Sequence, residues 1–236
     1  MKNLFKAAFS LSVITMVLLC MCVSPLSDVN IDDFSIIGAN MTISKYFGTS
    51  SPAWQTVRTS VYDKNYASVQ IKKGGVSVNG TPMVYDNTTL MLCYAKDNLP
   101  MVKNSDYRFV ITISNSDTCT SIVRTPPAEF GVVTVPATFH LSMGATVTWS
   151  DVAPGSPIDI KLSIFATKDS ATHTIVDNAA MPDSGKFVIP PIADTTLAGN
   201  ATLELTRHTV GTASLKLRSG TISAKYMFSA KMIAVK

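Results

Sequence analysis

Cys20, Cys22, Cys93 and Cys119 are the four thiols of this chain. With His140, His173 and His208 they are the side chains best suited to nucleophilic, metal-binding or redox chemistry. A nucleophilic site needs a thiol or hydroxyl beside a base, and a zinc site needs ligands at short paired spacings. Neither arrangement is written here. The three histidines fall in separate segments, and no His lies near Cys93 or Cys119. No CxxC, HExxH, GxSxG, P-loop or GxGxxG pattern occurs. The carboxylates are equally dispersed. Asp32-Asp33 does not have the spacing of a calcium loop and reads as solvated linker. Asp63, Asp86, Asp97 and Asp106 fall near predicted turns, which leaves a calcium site between loops open as a minor alternative. The chain therefore reads as a non-enzyme, with no catalytic residue, no metal ligand and no cofactor assigned.

The thiols divide into two pairs. Cys20 and Cys22 end an apolar run from Ala7 to Val23, which follows Lys2 and Lys6 with no acid between. A positive start and a short apolar stretch are the marks of an export leader. The run is 17 residues, at the short edge of the ~17–25 that span a bilayer. No basic stop-transfer cluster follows it. Val17-Leu18-Leu19-Cys20 and Leu19-Cys20-Met21-Cys22 resemble a bacterial lipobox, whose cysteine becomes the lipid-modified first residue. Leu19 or Met21 stands where a strict lipobox has a small residue. Both Cys20 and Cys22 are candidate acylation sites, and several acyl chains on one terminus give stable anchoring. Cys93 and Cys119 form the second pair. In an oxidising compartment they read as one disulfide, worth roughly 3–4 kcal/mol for a loop of this length, or as two buried thiols.

Three aromatic residues are candidates for ligand binding. Trp54 lies in a Ser/Pro-rich segment, with Tyr62 and Tyr66 nearby in sequence. An exposed Trp offers a flat apolar face to a sugar ring. Trp149 alternates with Val147 and reads as core. Asp169-Ser170-Ala171 and Asp194-Thr195-Thr196 resemble the short O-glycosylation motif of some Gram-negative envelope proteins.

The elements that must carry these residues are strands. "IDIKLSIF" places Ile158, Ile160, Leu162 and Ile164 on one face. "YRFVITI" aligns Tyr107, Phe109, Ile111 and Ile113, and the segment from Ile222 to Met232 alternates in the same way. "TLELT" and "SLKLR" repeat the pattern with Leu203/Leu205 and Leu215/Leu217. Period two means half-buried strands, and Asn79-Gly80 predicts a tight hairpin. Turn residues recur at short intervals, which predicts sandwiches. Pro126-Pro127 in "RTPPAEFG" marks a boundary. The organisation expected is a leader and lipobox region over 1–22, a linker over 23–40, one β-sandwich over 41–127 and a second over 130–236. Net charge is +4, and Lys72-Lys73 is the longest basic run, so no nucleic-acid partner is expected.

"FHLSMGATVTWS", "IDIKLSIF", "DSGKFVIPP" and "GNATLELTR" together resemble a fibronectin-III/immunoglobulin-like domain of bacterial envelope lipoproteins. "YASVQIKKGGVSVNGTPMVY", "SDYRFVITI" and "RTPPAEF" are similar to the companion module of such proteins. The resemblance covers most of residues 57–236. It implies an all-β fold of two tandem sandwiches, with Trp149 as the core Trp of the second. It also implies a non-catalytic exported protein acting in cell-surface binding or structure. The expected place is the outer membrane or cell surface through an N-terminal lipid, otherwise the periplasm or medium. A surface glycan or a protein is the expected ligand. Two alternatives remain: a fimbrillin-like pilin, which needs a removable edge strand such as the segment ahead of Arg58, and a carbohydrate-binding accessory module, which needs Trp54 and the tyrosines on one exposed face.

Overall fold

A computed structural model of the chain describes residues 31–49, 53–87 and 92–236. The leader region, with Cys20 and Cys22, lies outside the described residues. The regular structure of the described chain is nearly all strand, as the alternation predicts.

The first half builds eight strands. β1 (Gly38–Gly48) buries Ala39, Met41 and Ile43, and β2 (Trp54–Tyr62) buries Val57, Thr59 and Val61. β3 (Gly75–Val78) and β4 (Thr81–Pro82) flank Asn79 and Gly80, whose φ values of 48° and 77° suit a type I′ hairpin. The Asn79 side chain fixes this turn by accepting from Arg108 N–H at 2.8 Å. β5 (Val84–Asp86), β6 (Cys93–Asp97), β7 (Asp106–Thr112) and β8 (Thr118–Arg124) follow. The second half adds β9 (Val133–Thr134), β10 (Thr138–His140), β11 (Ala145–Trp149), β12 (Pro157–Ala166), β13 (Ala171–Pro182), β14 (Lys186–Ile189), β15 (Gly199–Val210) and β16 (Ser219–Val235). Ile158, Ile160, Leu162 and Ile164 of β12 are all buried, as are Leu203 and Leu205 of β15 and Trp149 of β11.

These strands form three sheets. A nine-stranded sheet runs β13-β12-β15-β16-β1-β2-β6-β5, with β10 beside the far end of β16. A four-stranded sheet, β4-β3-β7-β8, and a three-stranded sheet, β14-β11-β9, complete the fold. In-register partners across the large sheet are buried together, as in Ile43 with Ala224 and Leu205 with Phe228. The central strands of the large sheet therefore turn one face inward, and both small sheets share the same continuous apolar core with it.

This topology links the two halves expected as sandwiches over 41–127 and 130–236. β1 belongs to the first half, yet it pairs in parallel with β16 over eleven positions, Gly38 with Ser219 through Gly48 with Ser229. β16 is seventeen residues long and is shared: β1 lines its first part, and β10 takes Ile233 to Val235. Alternation identifies a strand but not its partner, and this partner lies nearly the whole chain away. The described part of the expected linker over 23–40 packs against the core. Ile31, Phe34, Ile37 and Ala39 are buried, and Ser114 donates to the Ile31 carbonyl through both its N–H and its hydroxyl. Asp33 caps a short 3-10 turn by accepting from Ser35 N–H at 2.7 Å, and bonds from Ser35 hold its carboxyl below the ordinary range.

The expected boundary at Arg124–Gly131 is a packed crossing. Thr125 and Phe130 are buried, and Lys45 of β1 reaches Glu129 at 2.6 Å. Arg207 of β15 donates through Nη1 to the Glu129 carbonyl at 2.6 Å and lies 4.4 Å over the Phe130 ring. Its Nε donates to Asp183 at 2.7 Å. Asp183 also accepts from Trp149 Nε1 at 2.7 Å and from Ala153 N–H at 3.0 Å. "SLKLR" is the one predicted strand that does not form. Leu217 is buried, but Leu215 is 98% exposed in a turn. The chain leaves the sheet there because Thr212 exchanges backbone bonds with Ile122 on the edge of β8. Gly211 permits that approach: a Cβ on it would stand 2.2 Å from the Ile122 carbonyl oxygen.

The two ends of the described chain place the segment ahead of Arg58 in the middle of the large sheet. Neither β1 nor β16 is an edge strand. A pilin-like removal of β1 would cut the large sheet in two.

Candidate binding face

The outward face of the large sheet gathers the predicted aromatic residues. Tyr46 and Trp54 are register partners across β1 and β2. Their rings stack at 3.9 Å with 7° between planes, and Trp54 remains 48% exposed. Cross-strand partners on one face stand close enough for this, and aromatic pairs gain ~0.5–1.5 kcal/mol beyond their buried area. Trp54 thus opens a strand rather than riding in a loop.

Tyr62 lies eight residues further along β2, so it shares the face with Trp54 but stands about 27 Å away. Its ring covers Gly38, where a Cβ would meet it at 2.4 Å. Tyr66 stacks on Tyr62 at 5.6 Å and is 71% exposed. Asp63 sets that tip. Its carboxylate accepts from Asn65 N–H at 2.8 Å and Ala67 N–H at 3.0 Å, and Tyr66 takes a left-handed φ of 61°. The Arg218 guanidinium lies 5.7 Å over the Tyr66 ring. The three expected residues are therefore on one face, at its two ends.

Between these ends the surface is polar. Arg58 reaches Asp97 at 3.4 Å, and Asp97 also accepts from Thr56 Oγ1 at 2.9 Å. Asn40 accepts from Thr221 Oγ1 at 2.9 Å. Sequence reading missed Tyr46. The signal lay in the Gly/Ser/Pro run between Tyr46 and Trp54, since a hairpin about that run pairs the two rings.

The remaining candidates are held elsewhere. Cys93 and Cys119 are buried free thiols and not a disulfide. Cys93 is on β6 of the large sheet, in the field of Arg58, Asp86 and Asp97, whereas Cys119 is on β8 of the four-stranded sheet, beside Ser214 and Ile111. Burial pushes both thiols up in pKa. Thiol labelling at neutral pH is therefore expected to reach both cysteines only after denaturation, and reductant is expected to leave the melting temperature unchanged. A reductant-sensitive loss of the ~3–4 kcal/mol that such a bridge contributes would refute this.

The histidines are surface partners. His173 meets Asp169 at 2.8 Å, His208 meets Asp159 at 3.1 Å, and His140 Nδ1 lies 2.8 Å from the Lys236 carbonyl. Asp106 pairs with Arg124 at 2.8 Å. Among the described residues no three His, Cys, Asp or Glu side chains gather as a metal site would require.

No family model matches the chain, and no curated protein matches it. Among solved structures it is similar to the Yersinia pseudotuberculosis adhesin InvE, at 10% identity and a TM-score of 0.24, over 82% of this chain and 60% of that one. It is also similar to SGBP-B of the Bacteroides ovatus mixed-linkage glucan utilization locus, solved with a mixed-linkage heptasaccharide, at 14% identity and a TM-score of 0.22, over 85% and 46%. A third is the N-terminal four Ig domains of Dscam1 isoform 7.44, at 11% identity and a TM-score of 0.19, over 81% and 51%. The chain thus spans from about half to three-fifths of these structures' lengths. Likeness at these scores defines no common fold, and the all-β assignment rests on the strands themselves.

Proposed function

We propose that the protein is an exported, non-catalytic envelope protein, anchored through acylated Cys20 or Cys22, that binds a surface glycan on the outward face of its large sheet. The observation that carries the binding reading is the stacked Tyr46–Trp54 pair, half-exposed on a flat polar face that ends in Tyr62 and Tyr66. The two stacked rings cover each other's inner faces, which holds Trp54 rigidly and leaves an outer ring face and the ring edges as an apolar contact for a sugar. Arg58 and Asp97 along the face, and Asn40 and Thr221 toward its Tyr62 end, supply donors and acceptors for sugar hydroxyls. The export and anchoring reading is supported by the basic, apolar N-terminus and its paired cysteines.

Retention on insoluble polysaccharides, followed by titration calorimetry with soluble fragments of whichever binds, tests the ligand. Trp54→Ala is expected to weaken binding at least tenfold, about 1.4 kcal/mol. Stability should fall by the ~0.5–1.5 kcal/mol of the lost ring pair together with the apolar area that half-buried Trp54 covers. Equal binding by wild type and Trp54→Ala would sink the assignment of this face. Mass mapping of the N-terminus, with Cys20→Ala and Cys22→Ala, tests the anchor, and a free unmodified terminus would overturn it.

A further inference from the structure

Asp169-Ser170-Ala171 and Asp194-Thr195-Thr196 share one local hydrogen bond, on different backbones. In each, the Asp Oδ1 accepts the N–H two residues on: Ala171 at 3.1 Å in one case, Thr196 at 3.0 Å in the other. An Asp engaged in this way closes a small turn and presents the intervening residue at its apex. That residue carries a hydroxyl both times. Ser170 is exposed at the tip between β12 and β13, with a left-handed φ of 54°. Thr195 opens the 3-10 turn Thr195–Leu197, which leads into β15. The two tips are neighbours, since Lys168 Nζ donates to Thr196 Oγ1 at 3.1 Å. Beside them runs a groove of about 550 Å³ whose lining includes Lys168, Thr196 and Asn200.

Two further Asp-hydroxyl pairs among the described residues lack this geometry. Asp117-Thr118 enters β8, where Thr118 is paired with Thr112. Asp183 is spent on Trp149, Ala153 and Arg207, and the Ser184 hydroxyl donates to the Lys186 carbonyl at 3.0 Å. The four sequences thus differ in backbone setting: Ser170 (exposed) and Thr195 (half-buried) each follow an Asp that closes a turn, whereas Thr118 lies in a strand ladder and the Ser184 hydroxyl is bonded.

We propose that Ser170 and Thr195 are acceptor hydroxyls for O-linked glycan, added by an envelope glycosyltransferase from a glycosyl-phosphate donor. The proposal rests on export of the chain. In the transfer, the side-chain oxygen bonds to the anomeric carbon as the bond from that carbon to the phosphate oxygen breaks. The phosphate leaves with the bonding electron pair, and the hydroxyl proton passes to a base of the transferase. No oxidant or reductant is needed. The adjoining groove gives the first sugar a polar wall, in Lys168 and Asn200, against which to lie.

The test is intact mass and peptide mapping of the full chain from the envelope and cytosolic fractions of the cells that produce it. The wild-type envelope protein is expected to carry sugar-sized mass increments on two peptides. Ser170→Ala and Thr195→Ala should each remove one, and the double variant both, with an unchanged circular dichroism spectrum. Ser170→Thr should keep its increment. Asp169→Ala should lose the increment at Ser170 alone, because the turn is undone. Envelope protein with no increment would overturn the glycan while leaving export standing. Increments on Thr118 or Ser184 instead would overturn the role of the turn. Unmodified protein confined to the cytosol would overturn export and the glycan with it.

Discussion

Arg207→Ala is expected to cost about 3–5 kcal/mol of stability, the range for breaking a buried ion pair from one side. Arg207 and Asp183 side chains are both fully buried. Removing the guanidinium leaves a carboxylate in the core with only the Trp149 and Ala153 donors. It also frees the Glu129 carbonyl and strips the cation from the face of Phe130. Denaturant midpoints read the loss. The double variant Arg207→Met, Asp183→Asn is expected to be more stable than Arg207→Ala, because an amide still accepts from Trp149 and carries no charge to strand. Equal stability of the two would mean that the pair is not what holds the crossing. The pair also predicts an acid limit. Burial pushes the Asp183 carboxyl up, but the bonds from Trp149, Ala153 and Arg207 outweigh it and hold the carboxyl below the ordinary range. A carboxyl lowered by folding contributes fully above its unfolded pKa of ~3.9, and that contribution is lost as pH falls through the lower folded value. Stability should therefore drop below about pH 4, and Asp183→Asn should flatten that drop.

The second large effect is on cooperativity. Two tandem sandwiches would melt as two units, and each would fold alone. The eleven-position ladder between β1 and β16 predicts a single calorimetric transition for the whole chain. It also predicts that the fragment 130–236 will not fold as a monomer. Without β1, the Ser219–Ser229 part of β16 becomes an open edge in the middle of what was a sheet, with Ile222, Ala224, Tyr226 and Phe228 uncovered on one side. Two separated transitions, or a folded monomeric fragment, would refute the shared sheet.

Strand identity was legible in the sequence wherever one face is buried, because burial imposes period two. β7, β12 and β16 are the clear cases, with every predicted inward residue at the core. What local pattern does not carry is partnership. The β1–β16 pairing depends on closure of a loop of nearly the whole chain, and nothing in "NMTISKYF" points to its neighbour. Pro126-Pro127 reads as a break for a local reason, since proline interrupts a ladder. Arg207, eighty residues later, makes that break a packed joint. The binding face was half legible. Trp54, Tyr62 and Tyr66 drew notice as residue types, but their distribution to the two ends of one face follows from strand length and register. Leu215 was misread because a two-residue alternation is too short to outweigh the bridge that draws Thr212 away to β8.

The parallel run of β1 beside β16 has a mechanical consequence. β1 is gripped on both flanks, by β16 in parallel and by β2 antiparallel. A pull on the N-terminal end, directed along β1, loads both ladders lengthwise. Their bonds then share the load together instead of opening one at a time like a zipper. The buried side chains of the strand would have to slide past the core in the same step. A chain tethered by its N-terminus and holding a ligand on the same sheet would resist drag as a single brittle unit, yielding abruptly at high force rather than stretching.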